Sequence, residues 1–195
     1  MFSTIPKDEI SKIKSHFGED HVLNFRAWYR GDYEAQFSVL SKSLQSMASI
    51  SAKEEAKSEA SELEASLTNK VHDLDNILQK YKDITDEMDE KKNDSDKLEF
   101  ELASMNEHLE HLRNDLQSLF IGADSIPKSD YEEYEAEIRT TLDEINEFRN
   151  QRWQIVERYE QLVDEQNEVY NSGIPVFRDL VLFIRQVCDF ILSQA

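Results

Sequence analysis

From Leu63 to Leu119 the apolar residues form two interleaved series seven apart: Leu67, Leu74, Tyr81, Met88, Leu102, Leu109 and Leu116 at heptad position a, and Leu63, Ile77, Ile84, Leu98, Met105, Leu112 and Leu119 at d. Only Lys70, Lys91 and Ser95 interrupt them. A seam this long must be covered by another helix, because alone it would hold a continuous apolar stripe in water. No glycine or proline lies between Gly31 and Gly122, so the pattern predicts one long helix over residues 32–121, with Asp32 as its N-cap.

The frame of that helix is not uniform. Phe37, Leu40, Leu44 and Met47 keep helical spacing but are out of step with the series that starts at Leu63, so the register changes near residues 49–61. Ala52, Ala56 and Ala60 occupy the change, four residues apart. Alanine favours helix and offers little to bury, so the segment reads as a weakly paired helix, a stutter or a flexible joint, with a continuous helix favoured over a hinge.

The polar exceptions bear on the partner. In a parallel homodimer Lys70 and Lys91 would meet their own copies at d, placing like charges at a desolvated site. Among the flanking pairs Glu87 would attract Lys92, but Asp94 would repel Glu99. An unlike chain with acids opposite the lysines, or an antiparallel neighbour, satisfies the code better. Val71, Leu78 and Phe120 at e widen the stripe and argue for more than two helices locally.

Around this helix the chain divides by its breakers. Residues 1–31 read as a short helical head: a helix over 7–17 with Ile10, Ile13 and Phe17 on one face, then a second over 20–30 carrying Phe25, Trp28 and Tyr29. Residues 122–128, with Gly122 and Pro127, form a break. Ser129 and Glu132 then have capping-box spacing and open a second heptad helix over 129–171, with Tyr159 in its seam and Trp153 outside it. Gly173 and Pro175 predict its end. Residues 174–195 form a last helix, apolar on nearly every face, with Phe183, Ile184 and Phe190 among its large side chains. The 129–171 helix could fold back on residues 79–121 or run on beside a partner chain; 4 glycines in the whole sequence favour the second arrangement.

The architecture expected is all-α, an elongated segmented coiled coil with a short N-terminal helical head and an apolar C-terminal helix. A net charge of −19 makes nucleic acid or an anionic membrane surface a poor partner, and no direct nucleic-acid contact is expected. No segment is apolar enough to span a bilayer, and the last helix has no net positive strip to draw it to an anionic surface. The opening MFSTIPKDEI lacks a signal-peptide pattern, and the single cysteine, Cys188, suits a reducing compartment; cytoplasm or cytoskeleton is expected, with the nucleus as an alternative.

Phosphate-binding loops, nucleophile elbows and supported acid pairs are missing from the sequence. His108 and His111 stand three apart beside Leu109 and Leu112, without the further ligands a zinc site needs. No enzyme activity, metal or cofactor is therefore expected. The residues expected to bind partners are Phe25, Trp28, Tyr29, Lys70, Lys91, Leu98, Leu102, Leu109, Trp153, Tyr159, Phe183, Ile184 and Phe190. The layout is similar in outline to small subunits of spindle, kinetochore and microtubule-organising assemblies, an analogy of shape. It implies a non-enzymatic structural subunit paired with one or more unlike coiled-coil chains. A vesicle-tethering or membrane-trafficking adaptor is the alternative, and a self-assembling filament protein a weaker one.

Overall fold

The computed structural model describes residues 7–17, 33–51, 53–122 and 127–194. Among them the fold is all-α, with no strand. The helices are α1 (Lys7–His16), α2 (Glu34–Ile50), α3 (Glu54–Gly122) and α4 (Lys128–Gln194). They make two compact units, one from residues 1–82 together with 167–195, the other from residues 83–166.

In the first unit, α1 buries Ile10 and Ile13, with Phe17 following on the same face. Its acids Asp8 and Glu9 lie in the first turn, and Lys14 and His16 in the last, so charge and helix dipole agree at both ends. The second short helix expected at 20–30 lies outside the described residues, and so does Asp32. α2 begins after Tyr33, which makes no side-chain cap, and buries Leu40, Ser43 and Leu44. Buried Ser43 avoids an orphan hydroxyl by donating to the Val39 carbonyl at 2.6 Å.

The expected unbroken helix over 32–121 does not form. α2 stops at Ile50, and Ser51 takes an extended conformation (φ −55, ψ 138) while its N–H still donates to the Met47 carbonyl at 3.0 Å. Ser51 Oγ accepts from the Lys53 N–H at 3.3 Å, and Glu54 and Glu55 then occupy the first turn of α3. Ser51 is thus the C-cap of α2, and a fresh helix start at Glu54 replaces the change of register. Beyond the joint α2 lies back along α3: Ser41 Oγ and Gln45 Nε2 both donate to Glu64, at 3.1 and 2.9 Å. Ala56 and Ala60 are buried, small side chains that leave room for close packing rather than a weakly paired stretch.

The other side of this unit comes from the far end of the chain. α4 does not stop at Gly173 and Pro175 but carries both in its interior. Pro175 is exposed, so its ring points away from the core, while Gly173, Phe177, Leu180 and Ile184 share one buried face. Packing along that face offsets the hydrogen bond that Pro175 cannot donate, a cost of about 3 kcal/mol relative to alanine in a helix interior. The resulting core joins Ile10, Phe17, Leu40, Leu44, Leu67, Leu74, Leu180, Ile184, Val187 and Ile191. Tyr33 links the ends of the chain, its ring centroid 5.4 Å from Phe17 and 6.4 Å from Phe177. Cys188 is buried here too; burial, then Asp189, push its thiol up to about 12.

The second unit is an antiparallel pair of helices, 83–122 of α3 and 128–166 of α4. Arg158 donates to both oxygens of Glu87 at 2.9 and 3.2 Å, Arg152 to Glu99 at 2.8 Å, and Gln166 to Thr85 at 2.9 Å. Nearer the connection His108 Nε2 lies 3.4 Å from Glu137. Residue numbers rise along one helix as they fall along the other, so α4 folds back on α3. The arrangement beside a partner chain is overturned: the chain covers its own seam. Leu102, Leu109 and Ile145 form the centre of this unit, with Met105, Ile138, Leu142 and Phe148 packed against them. The capping box expected at Ser129 does not form either. The helix begins one residue earlier, the Asp130 N–H donating to the Pro127 carbonyl at 3.1 Å, and Ser129 Oγ bonds the Asp130 carboxylate.

Candidate interaction surface

Packing within the chain buries four of the expected partner-binding residues, Leu102, Leu109, Ile184 and Phe190. Leu102 and Leu109 are buried between α3 and α4, and Leu98 is half-buried. In the first unit Ile184 and Phe190 are core residues and Phe183 packs against that core. Lys70, expected to seek an acid on another chain, finds Asp179 on α4, and its ammonium lies 5.5 Å from the centroid of the Phe183 ring. Phe25, Trp28 and Tyr29 lie outside the described residues. Among the described residues Trp153 is exposed, and Lys91 and Tyr159 are half-buried.

Lys91 and Tyr159 line one groove on the second unit, and Trp153 lies outside that lining. Lys91 at d and Ser95 at a are the two places where α3 presents polar side chains to the seam. Opposite them α4 presents Ile155 and Tyr159, and the mismatch leaves an open groove of about 220 Å³ lined also by Lys92, Asp96 and Val156. That is below the roughly 300 Å³ at which small-molecule pockets begin, so a docking helix suits the groove better than a substrate. Val156 is 40% exposed, and Trp153, one turn before it on the same side of α4, is 65% exposed. A tryptophan that open leaves much of its burial energy unrealised, and tryptophan is among the residues that dominate protein interfaces.

Charge is distributed unevenly here. Arg158 and Arg152 are both paired across the helices, although Arg152 Nε is buried with no hydrogen-bond partner. The hydrogen bonds from Arg158 hold the Glu87 carboxyl below the usual carboxylate range, with a smaller contribution from Lys91 nearby, and they raise the Arg158 guanidinium further. Both oxygens of Glu87 are taken by Arg158, and among the described residues neither Lys91 nor Lys92 has an ion pair.

Two other apolar features lie on the surface, of which the heptad pattern places only Phe120. Phe100, 78% exposed, stands at position f, opposite the seam, where an aromatic has no intramolecular use; that placement was the available signal. It shares a shallow depression with Asp96, which also lines the groove. At the end of α3 Phe120 and Ile121 are exposed, and Phe120 meets Tyr131 edge-on at 5.9 Å. Among the described residues no three metal-ligating side chains gather, and no helix is long and apolar enough to cross a membrane. Comparison with protein-family models, with curated proteins and with solved structures finds no match to the chain.

Proposed function

We propose that the chain is a non-enzymatic structural subunit of a hetero-oligomeric helical assembly, whose setting is spindle, kinetochore or microtubule-organising machinery in the cytoplasm or cytoskeleton. The observation that carries the subunit reading is the exposed Trp153 on a helix pair whose seam is closed around Leu102, Leu109 and Ile145 but open at the groove between Lys91 and Tyr159. Apolar surface left over after the chain has covered itself is the mark of a site for another protein. The cellular setting rests on analogy of layout alone.

The alternative of a vesicle tether relied on the apolar helix over 174–195 meeting lipid or a receptor. Ile184, Val187, Cys188 and Ile191 are buried in the first unit, which weighs against that use. Liposome flotation of the intact chain distinguishes the readings: the subunit reading expects no flotation.

The direct test is the tagged chain expressed in its native cells, purified and sized by light scattering with cross-linking mass spectrometry. The expected result is a stoichiometric complex with at least one unlike chain. A monodisperse monomer or homodimer with no stoichiometric companion would overturn the reading.

A further inference from the structure

We propose that the outer face of α3 in the second unit, centred on Phe100, binds a basic helix of an unlike chain, with a lysine of that helix held between the Phe100 ring and the Asp96 carboxylate. This rests on the subunit reading above and adds the chemistry of the partner.

The chain already contains one such contact. In the first unit Asp179 and Phe183 stand four residues apart on α4, and Lys70 of the facing α3 reaches both: its ammonium pairs with the Asp179 carboxylate and lies 5.5 Å from the centroid of the Phe183 ring. Residues four apart lie one above the other on a helix, so a carboxylate and an aromatic ring at that spacing can receive one cation from a neighbouring helix. Asp96 and Phe100 repeat the spacing on α3 and border one shallow depression. Glu144 and Phe148 have it too, but Phe148 packs against the core of the second unit. Phe100 instead is 78% exposed, at a heptad position that faces away from α4. Lys97, the base in the same depression, pairs with Asp94 at 3.3 Å, and among the described residues no cation lies over the Phe100 ring.

The surroundings set the sign of the partner. Most of the chain's excess acid lies in residues 83–166. At the outward positions b, c and f from Asp86 to Glu107, the charged residues are Asp86, Asp89, Glu90, Asp96 and Glu107 against Lys97 alone. Lys92, which borders this face at e, leaves it acidic. Ala103 and Ser104, one turn beyond Phe100, are small and exposed, so a helix can approach the ring. A basic helix suits such a face, and an acidic one is repelled by it. A second copy meeting this face with its own would set these carboxylates against one another.

The test uses the full chain and two fluorescein-labelled synthetic helices of three heptads, identical except that one carries lysine and the other glutamate on its polar face. Near physiological ionic strength, where exposed charges more than about 8 Å apart are largely screened, fluorescence anisotropy is expected to show binding of the lysine helix and none of the glutamate helix. Phe100→Leu, which keeps apolar bulk and removes the ring, and Asp96→Asn should each weaken the lysine helix by about threefold or more, while Phe100→Tyr retains it. Glu133→Gln, which removes one exposed carboxylate from α4, should change it by less than about twofold. Helical circular dichroism should be the same for all four variants, since each position is exposed. An equal loss in Glu133→Gln would mean attraction by net charge only and would overturn the proposal. So would no binding of the lysine helix, binding indifferent to Phe100→Leu and Asp96→Asn, or light scattering in which Phe100→Leu breaks up a self-dimer. In the native complex an amine-reactive cross-linker is expected to join Lys97 to a lysine of the companion. A companion recovered in full yield by the double variant Phe100→Leu, Asp96→Asn would overturn the inference while leaving the subunit reading standing. Absence of any companion from the wild-type chain would sink the subunit reading and this inference with it.

Discussion

Arg158 binds Glu87 through two nitrogens and Glu165 through a third, at 2.7 Å, so one guanidinium ties α4 both to α3 and to its own next turns. The Glu87 carboxyl is depressed in the folded chain by these hydrogen bonds. A depressed carboxyl stabilises the fold above its unfolded value and loses that contribution as pH falls through the folded one. Arg158→Met should therefore raise the Glu87 carboxyl toward its ordinary range and lower the melting temperature at pH 7. At a pH below both carboxyl values the two proteins should melt alike. A carbon-detected NMR titration and melts at the two pH values check this, and an unmoved Glu87 titration would refute it. The sequence shows glutamate and arginine here, but which of the chain's many acids Arg158 would choose depends on the direction of the second helix, which its own heptads do not carry.

At the scale of elements, local pattern and long-range packing contributed differently. The two heptad stretches were legible because the alternation of seam and surface is local: Leu102, Leu109 and Ile145 are buried as their positions require. What covers a seam is not local, since Leu109 would look the same facing its own chain or another. The joint at Ser51 was obscured for a different reason. Alanines at 52, 56 and 60 raise helix propensity across the joint, and no glycine or proline marks it. At Pro175 the predicted helix end is overturned by packing, because Phe177, Leu180 and Ile184 hold the helix to the core beyond it. Restoring the missing donor should then be favourable: Pro175→Ala is expected to stabilise the first unit by about 1–3 kcal/mol, measured by chemical denaturation. An unchanged or lowered midpoint would show that the proline is accommodated without cost.

For the whole molecule, the first unit draws its core from both ends of the chain. Removing residues 174–195 takes away Phe177, Leu180, Ile184, Val187 and Ile191 together. At roughly 1.5–3 kcal/mol for each large side chain, that loss matches or exceeds the total stability of about 5–15 kcal/mol typical of a domain. The truncated chain is expected to lose the helicity of α1 and α2, to bind a hydrophobic dye and to be cut by protease within residues 7–50. A cooperative melt at the unchanged midpoint would contradict this.

The pairing of Lys14 with Asp189, and of Tyr33 with Phe177, also sets a timetable for synthesis. A ribosome adding roughly 5–20 residues per second exposes α1 and α2 roughly 6 to 28 seconds before their far-end partners emerge. During that interval Ile10, Phe17, Leu40 and Leu44 have no complete core to enter. The nascent chain is therefore a natural client for chaperones that hold apolar helices, and slowing translation within residues 100–170 should lengthen their occupancy on it.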